Sequence, residues 1–340
     1  MHLLVTGGCG FLGSNIASEA IKKGYKVSIF DNLSRKGSEE NLQWLKSIGD
    51  IDFFQKDIRK YEDVSSVIKT SLPDAVFHLA GQVAMTTSLE DPRKDFEINV
   101  VGTHNLLESL RQFSPDTKTI YSSTNKVYGD LEGFTYTEKE TRYHLEDLVE
   151  GFAEDITLDF RSPYGCSKGA ADQYMLDYAR NFGLKTMVFR HSSIFGGRQF
   201  STFDQGWVGW FVEQALLQKK DKSSAPFTIS GNGKQVRDVL FSSDLINCYF
   251  KGLANIDNCS GEAFNIGGGI QNSLSLLELF SFLEKELNVT LDYKEIELRS
   301  NDQKFFVANT AKAQNKFNWK PLIGKEEGLK EMINWVRSSV

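Results

Sequence analysis

Short apolar runs alternate with longer amphipathic stretches through the first half of this chain. The runs at 2–6, 26–30, 51–55, 75–79, 119–121 and 185–190 are rich in β-branched and aromatic residues and have the length of strands. Between them, 11–23, 64–71 and 100–113 repeat their apolar positions at helical spacing. That alternation predicts an α/β fold, a parallel sheet built from βαβ units. The stretch 131–160 breaks the rhythm, with many acids and no clear period, and reads as an inserted loop beside the active site or as an irregular surface excursion. Beyond Phe189 the pattern is mixed. An aromatic-rich segment at 206–211 leads into a helix, strands are expected near 227–229 and 262–266, and helices at 274–287 and 326–337. No Pro/Gly/Ser linker separates the halves, so the second part is expected to pack closely on the first.

Composition narrows the function. The chain has 340 residues and a formal charge of -6, with no dense Lys/Arg block, which argues against a nucleic-acid binder. It has no apolar run long enough to span a bilayer, and residues 2–5 run straight into a glycine loop with no room for a leader, so a soluble, cytoplasmic protein without a membrane partner is expected. Cys9, Cys166, Cys248 and Cys259 stand singly, and the five histidines form neither an HExxH pair nor a cluster. No metal is expected.

Three motifs carry chemistry. Gly7, Gly10 and Gly13 follow the first predicted strand and open a predicted helix, where backbone N–H groups can approach a pyrophosphate. Asp31 closes the second strand, where its carboxylate can accept from the adenosine ribose hydroxyls and repel the extra phosphate of NADP. The cofactor expected is therefore NAD. Asp57 and Ile58 could flank the adenine, or Asp57 could be a turn residue. Ser122, Ser123 and Thr124 end a sheet strand, where open α/β sheets place ligands. Finally, Lys168 lies one helical turn beyond Tyr164, on the same face, with Pro163 suited to the helix first turn. A neighbouring ammonium and a cationic nicotinamide would favour the phenolate and suit Tyr164 to act as base and then acid. Trp207, Trp210 and Phe211 could stack on a base or lid a sugar, or could be core or subunit contact.

The segments 6–13, 78–82, 122–129 and 164–168 resemble the extended short-chain dehydrogenase/reductase family, and 231–238, 264–267 and 299–302 resemble its nucleotide-sugar branch. The resemblance implies a Rossmann-like doubly wound parallel sheet over 1–190, with a return segment near 235–260, and a smaller α/β C-terminal substrate domain over 191–340 interleaved with it. It implies Thr124, Tyr164 and Lys168 as the catalytic trio. The cofactor side would hold Gly7, Gly10, Phe11, Leu12, Gly13, Asp31, Asn32, Asp57, Ile58, Leu79, Ala80, Gly81, Asn99, Ser122 and His191, together with Tyr164 and Lys168. The substrate side would hold Thr124, Asn125, Ser193, Arg198, Arg237, Arg299 and Asp302, the arginines supplying guanidinium forks for a diphosphate.

Two departures bear on the reaction. Dehydratases of the branch carry an Asp-Glu pair after the catalytic Ser/Thr, whereas this chain has Asn125 and Lys126, which leaves an elimination without its acid and base. Galactose epimerases carry an aromatic residue and an asparagine where His191, Ser192 and Ser193 stand. Segments 162–174, 190–199 and 204–211 are most similar to the branch that epimerises CDP-linked dideoxyhexoses at sugar C2 for bacterial O-antigen. That similarity implies a CDP-sugar substrate and a homodimer or tetramer assembled through helices at 100–113 and 164–182. A UDP-hexose 4-epimerase is the rival within enzymes. A non-catalytic NAD-sensing Rossmann protein is the rival outside them, and the intact trio speaks against it.

Overall fold

The computed structural model describes residues 1–298 and 302–339. Its centre is a seven-stranded parallel sheet, ordered Glu262–Ile266, Thr186–His191, Lys118–Thr124, Ala75–His78, His2–Thr6, Lys26–Asp31 and Asp52–Gln55. Each central strand is buried on both faces, which is why the sequence shows continuous apolar runs there. Alternation within a run still decides which layer a side chain enters. Leu3, Val5, Phe77, Ile120 and Phe189 face a layer formed by the helices Phe11–Lys22, Ser38–Ile48 and Ser242–Cys259. Leu4, Val76, Tyr121 and Val188 face the helices Tyr61–Ser71, Gly102–Phe113 and Ser162–Phe182.

The smaller part gathers the helices Trp207–Lys220, Leu276–Leu287 and Lys325–Ser339 around Phe211, Phe227 and Phe280, beside the paired strands Phe227–Ser230 and Tyr293–Ile296. A capping box between Ser275 and Glu278 starts the second of these helices. Strand Val236–Phe241 joins the two parts, pairing with Ser193–Phe195, Ser273–Ser275 and Phe305–Phe306.

Two sequence expectations need correction. The return to the sheet extends past 260, because Glu262–Ile266 is the sheet's edge strand and Phe317 and Trp319 sit in the first core layer. The 131–160 excursion is more structured than a loop. It forms a hairpin of Tyr136–Glu138 with Tyr143–Leu145, and buries Leu131, Leu145 and Phe152 against Phe305, Phe306 and Val307. No helix among the described residues is long and apolar enough to cross a membrane.

Candidate active site

The site lies at the C-terminal ends of the parallel strands. Gly7 adopts φ +67, and a Cβ there would come 2.7 Å from the Ala80 nitrogen. At Gly13 a Cβ would run into the Gly7 carbonyl oxygen. The loop is thus closed to side chains, and since Gly7, Cys9 and Gly10 spend their N–H groups within the chain, it is the uncapped start of helix Phe11–Lys22 that is left for a pyrophosphate. Asp31 is buried behind it, its carboxylate accepting from Cys9 N at 2.9 Å and Leu33 N at 2.8 Å. Burial raises its pKa, and those backbone donors oppose the rise. Phe11 and Leu12 open the helix, with Leu12 packed on the core layer beneath. The cradle and carboxylate fit a dinucleotide.

Other residues expected on the cofactor side have partners within the chain. The Asn32 side chain accepts from Ser34 N at 3.1 Å, forming its own turn. Asp57 is bonded by the Arg59 guanidinium at 2.6 Å, which lowers its pKa. Ile58 is buried against Gly102.

Asn99 sits in a π-helical turn, Glu97–Val101, a widened turn of the kind that often marks functional positions. It braces the segment carrying Leu79, Ala80 and Gly81. Its Oδ1 accepts from Gln82 N at 2.9 Å, and its Nδ2 donates to Gln82 O at 3.0 Å and to Ser167 Oγ at 2.9 Å. Ser167 in turn donates to the wholly buried carboxylate of Asp95, which also accepts from Gln82 Nε2 at 3.0 Å. The sequence reading missed Gln82, Asp95 and Ser167. Gln82 and Ser167 fall within the segments 78–82 and 164–168 that carry the resemblance, beside Gly81 and Lys168, while the signal for Asp95 is its position one helical turn before Asn99.

The trio converges. Thr124 ends strand Lys118–Thr124 in register with His191, while Tyr164 and Lys168 lie in the first turns of helix Ser162–Phe182. Burial pushes the Tyr164 hydroxyl up to about 12, and its hydrogen bond with Thr124 opposes this. Lys168 donates to the Ser122 carbonyl oxygen and lies 4.3 Å from the Tyr121 ring centre. Burial pulls its pKa down to about 7 against the raising fields of Asp95 and Asp172. His191 is buried, with Nδ1 3.3 Å from Ser122 Oγ and Nε2 3.3 Å from the Tyr249 hydroxyl, and burial lowers it to about 3. It is a neutral ring at ordinary pH.

Beneath these residues Arg190 makes a two-pronged pair with Asp172, both bonds at 2.9 Å, and Ser123 donates to the same carboxylate at 2.7 Å. The pair fastens helix Ser162–Phe182 to strand Thr186–His191. Both residues fall in segments that carry the resemblance, 162–174 and 190–199, but no role was expected of either.

On the substrate side Arg237 donates to Asp302 at 2.6 Å, with Lys126 on the same oxygen at 3.3 Å. Asn125 donates to Gln303 at 2.9 Å. Ser193 accepts from Trp207 Nε1 at 3.1 Å, whereas Phe211 is core and Trp210 meets Phe203 edge-on. Arg299 lies outside the described residues. Arg198 does not join this group, contrary to expectation. It follows a Gly196–Gly197 turn and itself has φ +66, and its guanidinium reaches Asn41, the Glu40 carbonyl and the rings of Trp44 and Trp335.

The glycine cradle, the buried acid behind it and the Thr/Tyr/Lys trio define a class that the comparisons make specific. The family model described as GDP-mannose 4,6 dehydratase matches residues 4–332, and the chain belongs to this family of extended short-chain dehydrogenase/reductases. Among individual proteins, it is 57% identical over 338 residues to CDP-paratose 2-epimerase of Salmonella typhi, covering 99% of this chain and 100% of the relative. Among solved structures, UDP-glucose 4-epimerase of Thermotoga maritima with UDP-glucose superposes with a TM-score of 0.85 at 29% identity, covering 100% of this chain and 99% of that one. UDP-glucuronic acid 4-epimerase of Bacillus cereus, in complex with UDP-glucuronic acid and NAD, gives 0.85 at 25% identity, covering 100% of both chains.

Proposed function

We propose that this protein epimerises CDP-paratose to CDP-tyvelose at sugar C2, using NAD that stays bound through turnover, in a cytoplasmic step that supplies a dideoxyhexose for O-antigen and so for lipopolysaccharide. The observation that carries the reading is full-length identity of 57% to a CDP-paratose 2-epimerase, in a chain that keeps the whole trio. Asn125 and Lys126 support it from the other side, because they deprive the site of the carboxylates that a dehydration requires.

When bound, NAD supplies the acceptor and then the donor for hydrogen at C2, and a cationic ring near Tyr164. The chain's own residues do the rest. Thr124 Oγ1 holds the C2 oxygen, while Tyr164 takes its proton as the ketone forms and returns it on re-reduction. Lys168, held at the Ser122 carbonyl one helical turn from Tyr164, would supply the cation that favours the phenolate and a donor for the cofactor's ribose. The neutral His191 keeps Ser122 oriented from behind. Between the two transfers the keto sugar turns its other face to the same residues. Arg237, whose fork keeps further donors after pairing with Asp302, tethers the diphosphate meanwhile, with Arg299 assigned alongside it by resemblance.

The test is direct. Protein denatured after purification releases NAD, and the native protein converts CDP-paratose while leaving UDP-glucose unchanged. Turnover of UDP-glucose in place of CDP-paratose would assign the site to C4 chemistry instead. We further propose that two copies meet through the helices Gly102–Phe113 and Ser162–Phe182, as a dimer or its tetrameric doubling. The exposed Tyr174 and Phe182 on one helix, beside exposed Phe96 just before the other, support that face.

A further inference from the structure

The mechanism needs the cofactor held while the sugar turns, and one contact network ties the substrate part to the cofactor loop. It centres on residues 196–200, which leave strand Ser193–Phe195 and cross to the cofactor side. Asn15, on the helix that opens at the glycine loop, donates to Gly197 O at 3.0 Å. Arg198 Nε donates to Asn41 Oδ1 at 2.9 Å, and its Nη2 to Glu40 O at 3.0 Å. Its guanidinium lies 4.5 Å from the Trp44 ring centre and 5.2 Å from that of Trp335, on the C-terminal helix. Asn41 is buried and donates on to Cys9 O at 3.0 Å, inside the glycine loop. Cys9 N closes the chain by donating to Asp31 at 2.9 Å. Next door Phe200 packs against Gly37, where a Cβ would collide with its ring.

These contacts run in series from the C-terminal helix through Arg198 and Asn41 to the loop and acid that would cradle the adenosine half of the cofactor. The segment 32–37 after Asp31 ends at Gly37, which packs against Phe200 and whose carbonyl oxygen accepts from Asn41 N at 3.0 Å. For a dinucleotide to leave, this segment or the glycine loop has to open, and Arg198 is the side chain that grips both tryptophans, the helix Ser38–Ile48 and Asn41 together. Resting on the reading that NAD is retained through turnover, we infer that Arg198 is a positioning residue that latches the substrate domain over the adenosine end of the cofactor cleft and so slows NAD release. Its hydrogen bonds and ring contacts run to Glu40, Asn41, Trp44, Phe200 and Trp335, none of them in the Thr124, Tyr164 and Lys168 trio. Its backbone conformation, φ +66, is one that side chains other than glycine seldom adopt, and the surrounding contacts hold it there.

The experiment measures exchange of bound NAD for labelled NAD in purified holoenzyme, for the natural protein and for Arg198→Ala, Arg198→Lys and Asn41→Ala. The latch predicts exchange at least roughly tenfold faster in Arg198→Ala, because interface contacts act mainly on dissociation. Arg198→Lys, which keeps a cation over the indoles but loses the fork, falls between, and Asn41→Ala approaches the alanine variant. Turnover by Arg198→Ala becomes dependent on added NAD. A purely structural role would lower the melting temperature of the NAD-stripped protein and leave exchange untouched. Should Arg198→Ala fail to fold, the lysine variant carries the test. Natural protein that holds NAD while all folded variants exchange it at the natural rate overturns the latch alone. Protein whose released nucleotide is not NAD overturns the functional reading, and the latch with it.

Discussion

Burial works against Tyr164 as a base, since it drives the hydroxyl up to about 12, and it works against Lys168 as a cation, drawing it down to about 7. A cation brought beside Tyr164 would favour its phenolate and offset part of the burial effect there. The Tyr164→Phe variant should therefore keep its NAD while epimerisation falls by roughly 10²–10⁴-fold, measured as product formed from CDP-paratose. Near-natural turnover in that variant would remove Tyr164 from its role. His78 offers a residue-scale test of a different kind. It is wholly buried between Thr6 Oγ1 at 2.7 Å and Thr103 Oγ1 at 3.0 Å, and burial lowers it from 6.5 to about 3. The folded chain thus binds fewer protons here than the unfolded chain below pH 6.5, so the stability from neutral His78 is present above that pH and drains away as pH falls towards 3. In denaturant titrations between pH 6 and 4, His78→Gln should flatten the loss of stability on acidification by about 1.4 kcal/mol per pH unit.

At the scale of elements, helix Ser162–Phe182 is held by one buried ion pair and one carboxylate network. The Arg190–Asp172 side chains are 5% and 0% exposed, so removing one partner strands the other's charge. Arg190→Met should cost about 3–5 kcal/mol of unfolding free energy by denaturant titration, whereas a surface pair such as Lys26–Asp52 should cost under about 1 kcal/mol when broken. These elements also show what could be read from the sequence. Strands buried on both faces announce themselves as apolar runs, and six of the sheet's strands fall where such runs predict them in the first half. The edge position of Glu262–Ile266 is not legible in that way, because its partner Thr186–His191 lies some seventy residues earlier and local periodicity carries no pairing information. The hairpin within 131–160 escaped for a related reason. Leu131, Leu145 and Phe152 have no regular spacing, and their burial depends on Phe305 and Phe306 from the far end of the chain. In the candidate site, the glycine loop and the Thr124, Tyr164 and Lys168 set stand out in the sequence because the chemistry expected of them demands particular residue types at fixed spacing. Asp95, Asp172 and Arg190 do not, since any fold can bury such a residue and only three dimensions show beneath what. The contacts of Arg198 with Asn41, Trp44 and Trp335 were not legible either, because local spacing gives no sign that the turn at Gly196 and Gly197 brings it to helix Ser38–Ile48.

For the whole molecule, strand Val236–Phe241 interleaves the two parts by pairing with Ser193–Phe195 and Phe305–Phe306, and Tyr174 and Phe182 of helix Ser162–Phe182 stay exposed. If the face they lie on joins two copies, a Tyr174→Glu, Phe182→Glu double variant should run as a monomer in light scattering coupled to size exclusion, with its sheet intact by circular dichroism. An unchanged oligomer would place the subunit contact elsewhere. The reaction itself is tested most directly by supplying CDP-paratose deuterated at sugar C2 and following the label by mass spectrometry and NMR. Oxidation and re-reduction by one retained cofactor predict CDP-tyvelose with the deuterium still at C2. Absence of CDP-tyvelose, or product with that deuterium exchanged for solvent hydrogen, would contradict it.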